Sequence, residues 1–203
     1  MRKIGWMGVC ALTAALLQAG SAAAQDVPKV EVFGGYTYQR IDRGATLGGS
    51  NLNGWNAALT GNVNSWFGVT ADFSGHYGAP GGPSQNRHAF LFGPKLTYRA
   101  SDRFNPFVHT LFGVTRTGRD AFGAVASASE SAFTMALGGG LDYKVNNRFA
   151  IRLVQADYFM TRFSENSGIV CIQAITTPCP TTQTGTQHNT RVSFGVTWRF
   201  GSK

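Results

Sequence analysis

Residues 191–200 read Arg191-Val192-Ser193-Phe194-Gly195-Val196-Thr197-Trp198-Arg199-Phe200. Val192, Phe194, Val196, Trp198 and Phe200 take every second position, a period of two that fits a strand and not a helix of 3.6 residues per turn. One face of this strand is therefore wholly apolar. The same alternation sets Val30, Val32, Tyr36 and Tyr38 against Glu31, Thr37 and Gln39. It recurs in Trp55, Ala57 and Leu59, in Phe67, Val69, Ala71, Phe73 and Tyr77, and in Phe90, Phe92, Leu96 and Tyr98. Val108, Phe112 and Val114, then Phe133, Met135, Leu137, Leu141 and Tyr143, then Phe149, Ile151 and Leu153 complete the set. Eight strands are expected, at about 29–40, 51–62, 66–77, 87–99, 105–117, 131–144, 148–162 and 189–200.

Each is close to the roughly 9–11 residues that a tilted strand needs to cross a bilayer. Asn62 to Ser65, Ser101 to Arg103 and Asn146-Asn147 read as tight turns, whereas 42–50, 78–86, 118–130 and 163–188 read as longer loops rich in Gly, Ser, Thr and Asn. Short turns at one end and longer loops at the other predict an all-β fold, an eight-stranded antiparallel up-and-down transmembrane β-barrel.

The charges decide between this barrel and a soluble one. The apolar faces carry no Asp, Glu, Lys or Arg, whereas the opposite faces carry Glu31, Asp72, Lys95, Arg99, Asp142, Lys144, Arg152, Arg191 and Arg199 among small residues. A soluble barrel would turn its apolar face inward and leave a mostly charged and polar exterior; small residues instead suit a crowded interior. Tyr36, Tyr38, Trp55, Tyr77 and Tyr158 would mark one membrane interface, and Phe67, Tyr98, Tyr143, Trp198 and Phe200 the other. The seventh segment breaks phase after Arg152, so an extra residue around Val154-Gln155 is expected to form a β-bulge that returns Asp157 to the interior. The alternative is that Asp157 lies high enough to reach headgroups without a bulge. Glu31, Asp72, Asp142 and Asp157 are expected to pair with Lys95, Arg99, Arg152 and Arg199 and plug the lumen; the alternative is a wet lumen that passes small anions. On this facing, Val196→Arg should be costly and Thr197→Arg milder.

Arg2 and Lys3, the apolar run Ile4 to Leu17 and Ala22-Ala23-Ala24 predict a signal peptide over 1–24, cleaved before Gln25, with one barrel domain over 25–203. An uncleaved anchor is disfavoured because Gln18, Gly20 and Ser21 end the apolar run short of the roughly 20 residues a helical span needs. Export leaves Cys171 and Cys179, which are expected to form a disulfide; a metal site would need more ligands than the nearby His188 supplies. Lys and Arg total 18 against 10 Asp and Glu, but the cations are dispersed, so no nucleic-acid partner is expected. A catalytic reading would join Ser74, His76 and Asp72, with His88 nearby, yet alternating polar residues on one inward face equally describe a lumen lining. No cofactor, metal or catalytic residue is expected.

Val32-Phe33-Gly34-Gly35-Tyr36, Asn105-Pro106-Phe107-Val108-His109, Gly138-Gly139-Gly140-Leu141-Asp142 and Gln155-Ala156-Asp157-Tyr158, in this order, resemble the small outer-membrane β-barrel proteins of the OmpA-like or opacity type. The resemblance implies a monomeric barrel in a Gram-negative outer membrane, with a structural or surface-interaction role. Its partners would be membrane lipid, the periplasmic chaperones and assembly machinery met in transit, and a surface ligand bound through the loops. It also implies an assembly signal at Trp198 and Phe200, although Gly201-Ser202-Lys203 follow. A lipid-modifying enzyme and a narrow small-solute pore are the alternatives.

Overall fold

The computed structural model describes residues 27–42, 49–78, 85–99, 101–119, 128–162 and 186–201. The expected signal peptide and the cysteine pair Cys171 and Cys179 lie outside these residues. Eight strands run β1 (Val30–Asp42), β2 (Gly49–Asn62), β3 (Phe67–Gly78), β4 (Gln85–Thr97), β5 (Phe104–Arg119), β6 (Ala128–Lys144), β7 (Phe149–Arg162) and β8 (Thr186–Phe200). Each pairs antiparallel with the next, and β8 pairs with β1 from Val30↔Phe200 to Ile41↔Asn189, closing the sheet. Closure satisfies every strand edge, the condition for a sheet to cross hydrocarbon.

Side chains alternate as the sequence pattern requires. Val196 and Phe194 are 50% and 53% exposed, whereas Thr197 is fully buried. The outward face is an apolar belt with aromatics at both ends, and at the end of the short turns the rings touch: Phe149 stacks on Trp198 at 5.5 Å and Trp198 on Phe200 at 5.0 Å. Such rings suit a hydrocarbon boundary, where an apolar body meets a polar edge. Two of the tight turns at this end are built by asparagine, as Asn64 Oδ1 accepts from the Trp66 and Phe67 amides and Asn146 Oδ1 from those of Arg148 and Phe149. A short side-chain acceptor that mimics the backbone makes such a turn.

Two features differ from expectation, and a third, the bulge on β7, agrees with it. The ladders continue into polar sequence at the other end, so the connections shrink to 43–48, 79–84, 120–127 and 163–185, and the first two are no longer than the 98–103 turn. Backbone pairing needs no apolar side chain once the strand leaves the belt, which is why alternation did not mark these ends. The β-bulge is present at Leu153-Val154 and Asp157 is inward, so the alternative without a bulge does not hold. Leu141 pairs with Val154 but Asp142 with Arg152, and both Leu153 and Val154 are turned outward, 48% and 45% exposed. Finally, the inward face is not only small and polar. Phe33, Leu52, Leu91, Phe107, Leu111 and Phe159 are also buried there. Thr197 is fully buried and paired between Phe33 and Ala150, so an arginine at 197 would meet a filled interior that already holds several cations.

Candidate lumen network

Among the described residues the lumen gathers four buried carboxylates, Glu31, Asp72, Asp142 and Asp157, with five buried cations, Lys95, Arg99, Arg152, Arg191 and Arg199, while Arg87 lies further toward the long-loop end. At the turn end Glu31 receives Lys95 Nζ and Arg99 Nη2, each at 3.1 Å, and Arg199 Nε lies 3.7 Å away. Arg99 also donates to the Ser65 carbonyl and, at 3.3 Å, to Asn62 Oδ1, tying the carboxylate to the β2–β3 turn.

A second set runs without a break across the barrel. Arg152 donates through Nε and Nη2 to the two oxygens of Asp142, at 2.8 and 3.1 Å, and through Nη1 to Gln155 Oε1 at 2.6 Å. Gln155 Nε2 donates to Asp157 Oδ2 at 2.8 Å, and the same oxygen accepts Arg191 Nε at 2.8 Å. Arg191 turns Nη1 and Nη2 onto Asp72 at 2.8 and 3.2 Å, and Asn56 Nδ2 completes the line at 3.0 Å from Asp72 Oδ2. The chain therefore passes from β6 through β7 and β8 to β3 and β2. The bulge is what permits it, because without the extra residue Gln155 and Asp157 would face outward.

Glycine makes a branch of this network possible. His109, Gly138 and Asp157 are cross-strand neighbours on β5, β6 and β7, and a Cβ at Gly138 would collide with the Asp157 carboxylate and the Ala156 carbonyl. With no side chain between them, His109 Nε2 meets Asp157 Oδ1 at 2.8 Å. Gly54 likewise separates Thr37 from His76, whose Nε2 lies 3.5 Å from Thr37 Oγ1.

Aromatic faces hold the cations from the sides. The Arg152 guanidinium lies between Phe33 and Phe107, 4.2 and 4.4 Å from the ring centroids, and Lys95 lies 4.6 Å from Phe107. Arg191 sits 4.8 Å from Phe159, which belongs to the apolar cluster of Ala89, Leu91, Leu111, Ala136 and Phe159 filling the β4–β7 side. A weakly hydrated guanidinium against a π face is a favourable way to fill an interior that also carries charge.

All eight expected lumen residues point inward, and the structure pairs them as Glu31 with Lys95, Arg99 and Arg199, Asp142 with Arg152, and Asp72 and Asp157 through Arg191. Arg191, placed inward by its phase yet left out of the expected network, is its central member. His109, Gln155, Asn56 and Arg87 were also missed; Arg87 donates to Gln187 Oε1 at 2.8 Å and to Thr117 Oγ1 at 3.4 Å. Lys144 forms no ion pair among the described residues. Asp72 is taken up by Arg191 and Asn56, and Ser74 Oγ has no hydrogen-bond partner among the described residues, so Ser74, His76 and Asp72 are not joined as a hydrogen-bonded triad. Trp198 and Phe200 lie outward at the turn end of β8, stacked on each other.

Solved structures share the architecture. The attachment invasion locus protein Ail of Yersinia pestis is 17% identical over 86% of this chain and 99% of its own, with a TM-score of 0.56. Neisserial surface protein A is 11% identical over 85% of this chain and 97% of its own, with a TM-score of 0.62. The N-terminal β-barrel domain of Pseudomonas aeruginosa OprF is 9% identical over 85% and 98%, with a TM-score of 0.51. No curated protein matches the sequence significantly. The outer membrane protein beta-barrel domain matches residues 9–200, the whole closed sheet included, and the chain belongs to that family.

Proposed function

We propose that this outer-membrane barrel is a non-enzymatic monomer with a plugged lumen, whose role is structural or lies in surface attachment through the connections at the long-loop end. The observation that carries the reading is the side-chain chain from Asp142 to Asn56, which occupies the middle of the lumen where a solute path or a substrate would have to be. Eight strands leave an interior that side chains can fill, in contrast to the 16–18 strands of water-filled porins. In the family orientation the short turns face the periplasm and the longer connections the outside. Segment 163–185 is the longest of these, and a Cys171–Cys179 disulfide formed on export would brace it by roughly 2–3 kcal/mol in the chain-entropy model. Residues 1–24 act as the cleaved export signal, and Trp198 and Phe200 as the mark read during assembly. The Yersinia pestis neighbour is an attachment protein by name, and attachment is the kind of role meant here.

The test compares cells displaying the full chain with cells displaying a chain in which 166–182 is replaced by Asn-Gly. Adhesion to cultured epithelial cells should fall to the level of cells lacking the protein, with the lipid A mass spectrum unchanged in all three. Unchanged adhesion together with a protein-dependent change in lipid A would overturn the reading in favour of an enzyme.

A further inference from the structure

On the strands, the outward-facing described side chains that carry a guanidinium, an ammonium, an imidazole or a carboxylate are Arg40, His88, Arg116, Arg162 and His188. All five lie at the long-loop ends of their strands. They form two groups. On β4 and β5, His88 is the cross-strand partner of Arg116. On β7, β8 and β1, Arg162 pairs with Thr186 and Arg40 with Thr190, so His188 sits diagonally between the two arginines on the same face.

Each imidazole is fixed by a tyrosine of the girdle. His188 Nδ1 is hydrogen-bonded to Tyr158 OH with the rings stacked at 5.6 Å, and His88 Nε2 lies 3.2 Å from Tyr77 OH with the rings edge-on at 5.7 Å. The other ring nitrogen of each histidine makes no hydrogen bond, and the three arginines make no ion pair, among the described residues. These groups stand at the end of the apolar belt, where Phe133 is the cross-strand partner of Arg162 and Tyr77 and Tyr158 touch the two histidines. Outward cations there meet phosphate, for which a guanidinium fork and an imidazole N–H are suited donors.

We propose that the Arg116–His88 pair and the Arg162–His188–Arg40 row are two binding sites for phosphate groups of a phosphorylated glycolipid in the leaflet at the long-loop end. The assignment of that leaflet rests on the orientation proposed above; the chemistry does not. The sites dock a lipid sideways against the barrel wall and differ from any loop ligand.

Native mass spectrometry of the folded full-length barrel in neutral detergent micelles tests the proposal without reference to orientation. The probes are bisphosphorylated lipid A, the same lipid dephosphorylated, and a soluble sugar bisphosphate. The wild type should retain the phosphorylated lipid at least about tenfold more tightly than the dephosphorylated one, and the soluble sugar should not displace it at equal concentration. His88→Gln with Arg116→Gln, and Arg40→Gln with Arg162→Gln, should each weaken retention by about tenfold or more, as expected for cations beside an anionic headgroup. Lys29→Gln, Arg103→Gln and Arg148→Gln together, at the turn end, should leave it unchanged. Heat-dependent gel mobility verifies that each variant is folded, and if a double variant is not, single Arg116→Gln and Arg40→Gln should each show about a fivefold loss. Equal affinity for both lipids, displacement by the soluble sugar, or an equal loss in the turn-end variant would overturn the proposal.

Discussion

Arg191 on β8 and Asp72 on β3, 119 residues apart, meet across the lumen through two hydrogen bonds of 2.8 and 3.2 Å, while the same guanidinium also holds Asp157 on β7. These strands are not neighbours around the barrel, so the bond braces the cross-section in a way the backbone ladders do not. Arg191 is fully buried and Asp72 is 1% exposed, so neither group has water to fall back on.

Arg191→Met should therefore destabilise the folded barrel by about 3–5 kcal/mol, the cost of leaving buried carboxylates without their cation. Urea titration of folding into vesicles measures this. The triple variant Arg191→Met, Asp72→Asn, Asp157→Asn should recover a large part of the loss, because no uncompensated charge remains. A triple variant as unstable as the single one would mean that the loss comes from packing against Phe159 rather than from charge.

Val196 lies outward in mid-strand, whereas Phe133 faces outward level with Arg162, its cross-strand partner. Val196→Arg should cost about 2–4 kcal/mol and Phe133→Arg about 0–1 kcal/mol, since the penalty for a cation on the lipid face falls from the midplane to the interface. The same urea titration separates them, and equal costs would contradict the depth assignment.

The β7 bulge gives a prediction by deletion. Removing Val154 leaves Arg152, Gln155 and Asp157 inward with Leu153 and Ala156 outward, and it brings the ladder to β6 into one continuous register. That variant should fold, as shown by heat-dependent gel mobility. Removing Ile151 instead should fail, because it turns the lower part of the strand inside out relative to its neighbours. If both fold, the bulge does not set the phase of the strand.

The fold was legible because lipid imposes a rule on every second residue of the outward face, and breaking it is expensive. Strand ends were less so, as Gln85, Ala128 and Thr186 pair above the belt where nothing constrains their polarity. Leu153 and Val154 are both apolar and both outward, so the sequence required a bulge without indicating which of them was extra. Inward charges could be read from phase alone, but their partners depend on the stagger of eight strands, which no local pattern encodes. Hence Arg191 was placed inward without its role. Phe33, Phe107 and Phe159 were missed because aromatics suggest the lipid face, although their phase with Glu31, His109 and Asp157 was there to be read. Gly138 and Gly54 could be read as inward glycines from phase, but that His109 meets Asp157 across one and Thr37 meets His76 across the other follows only from the register.

The central claim, that the chain's own side chains close the lumen, is tested most directly by planar-bilayer recording of the folded protein. The wild type should show no steady conductance, and Arg152→Ala, which breaks the line between Asp142 and Gln155 and empties the space between Phe33 and Phe107, should introduce small openings. Steady, anion-selective openings in the wild type, unchanged by Arg152→Ala, would contradict the account.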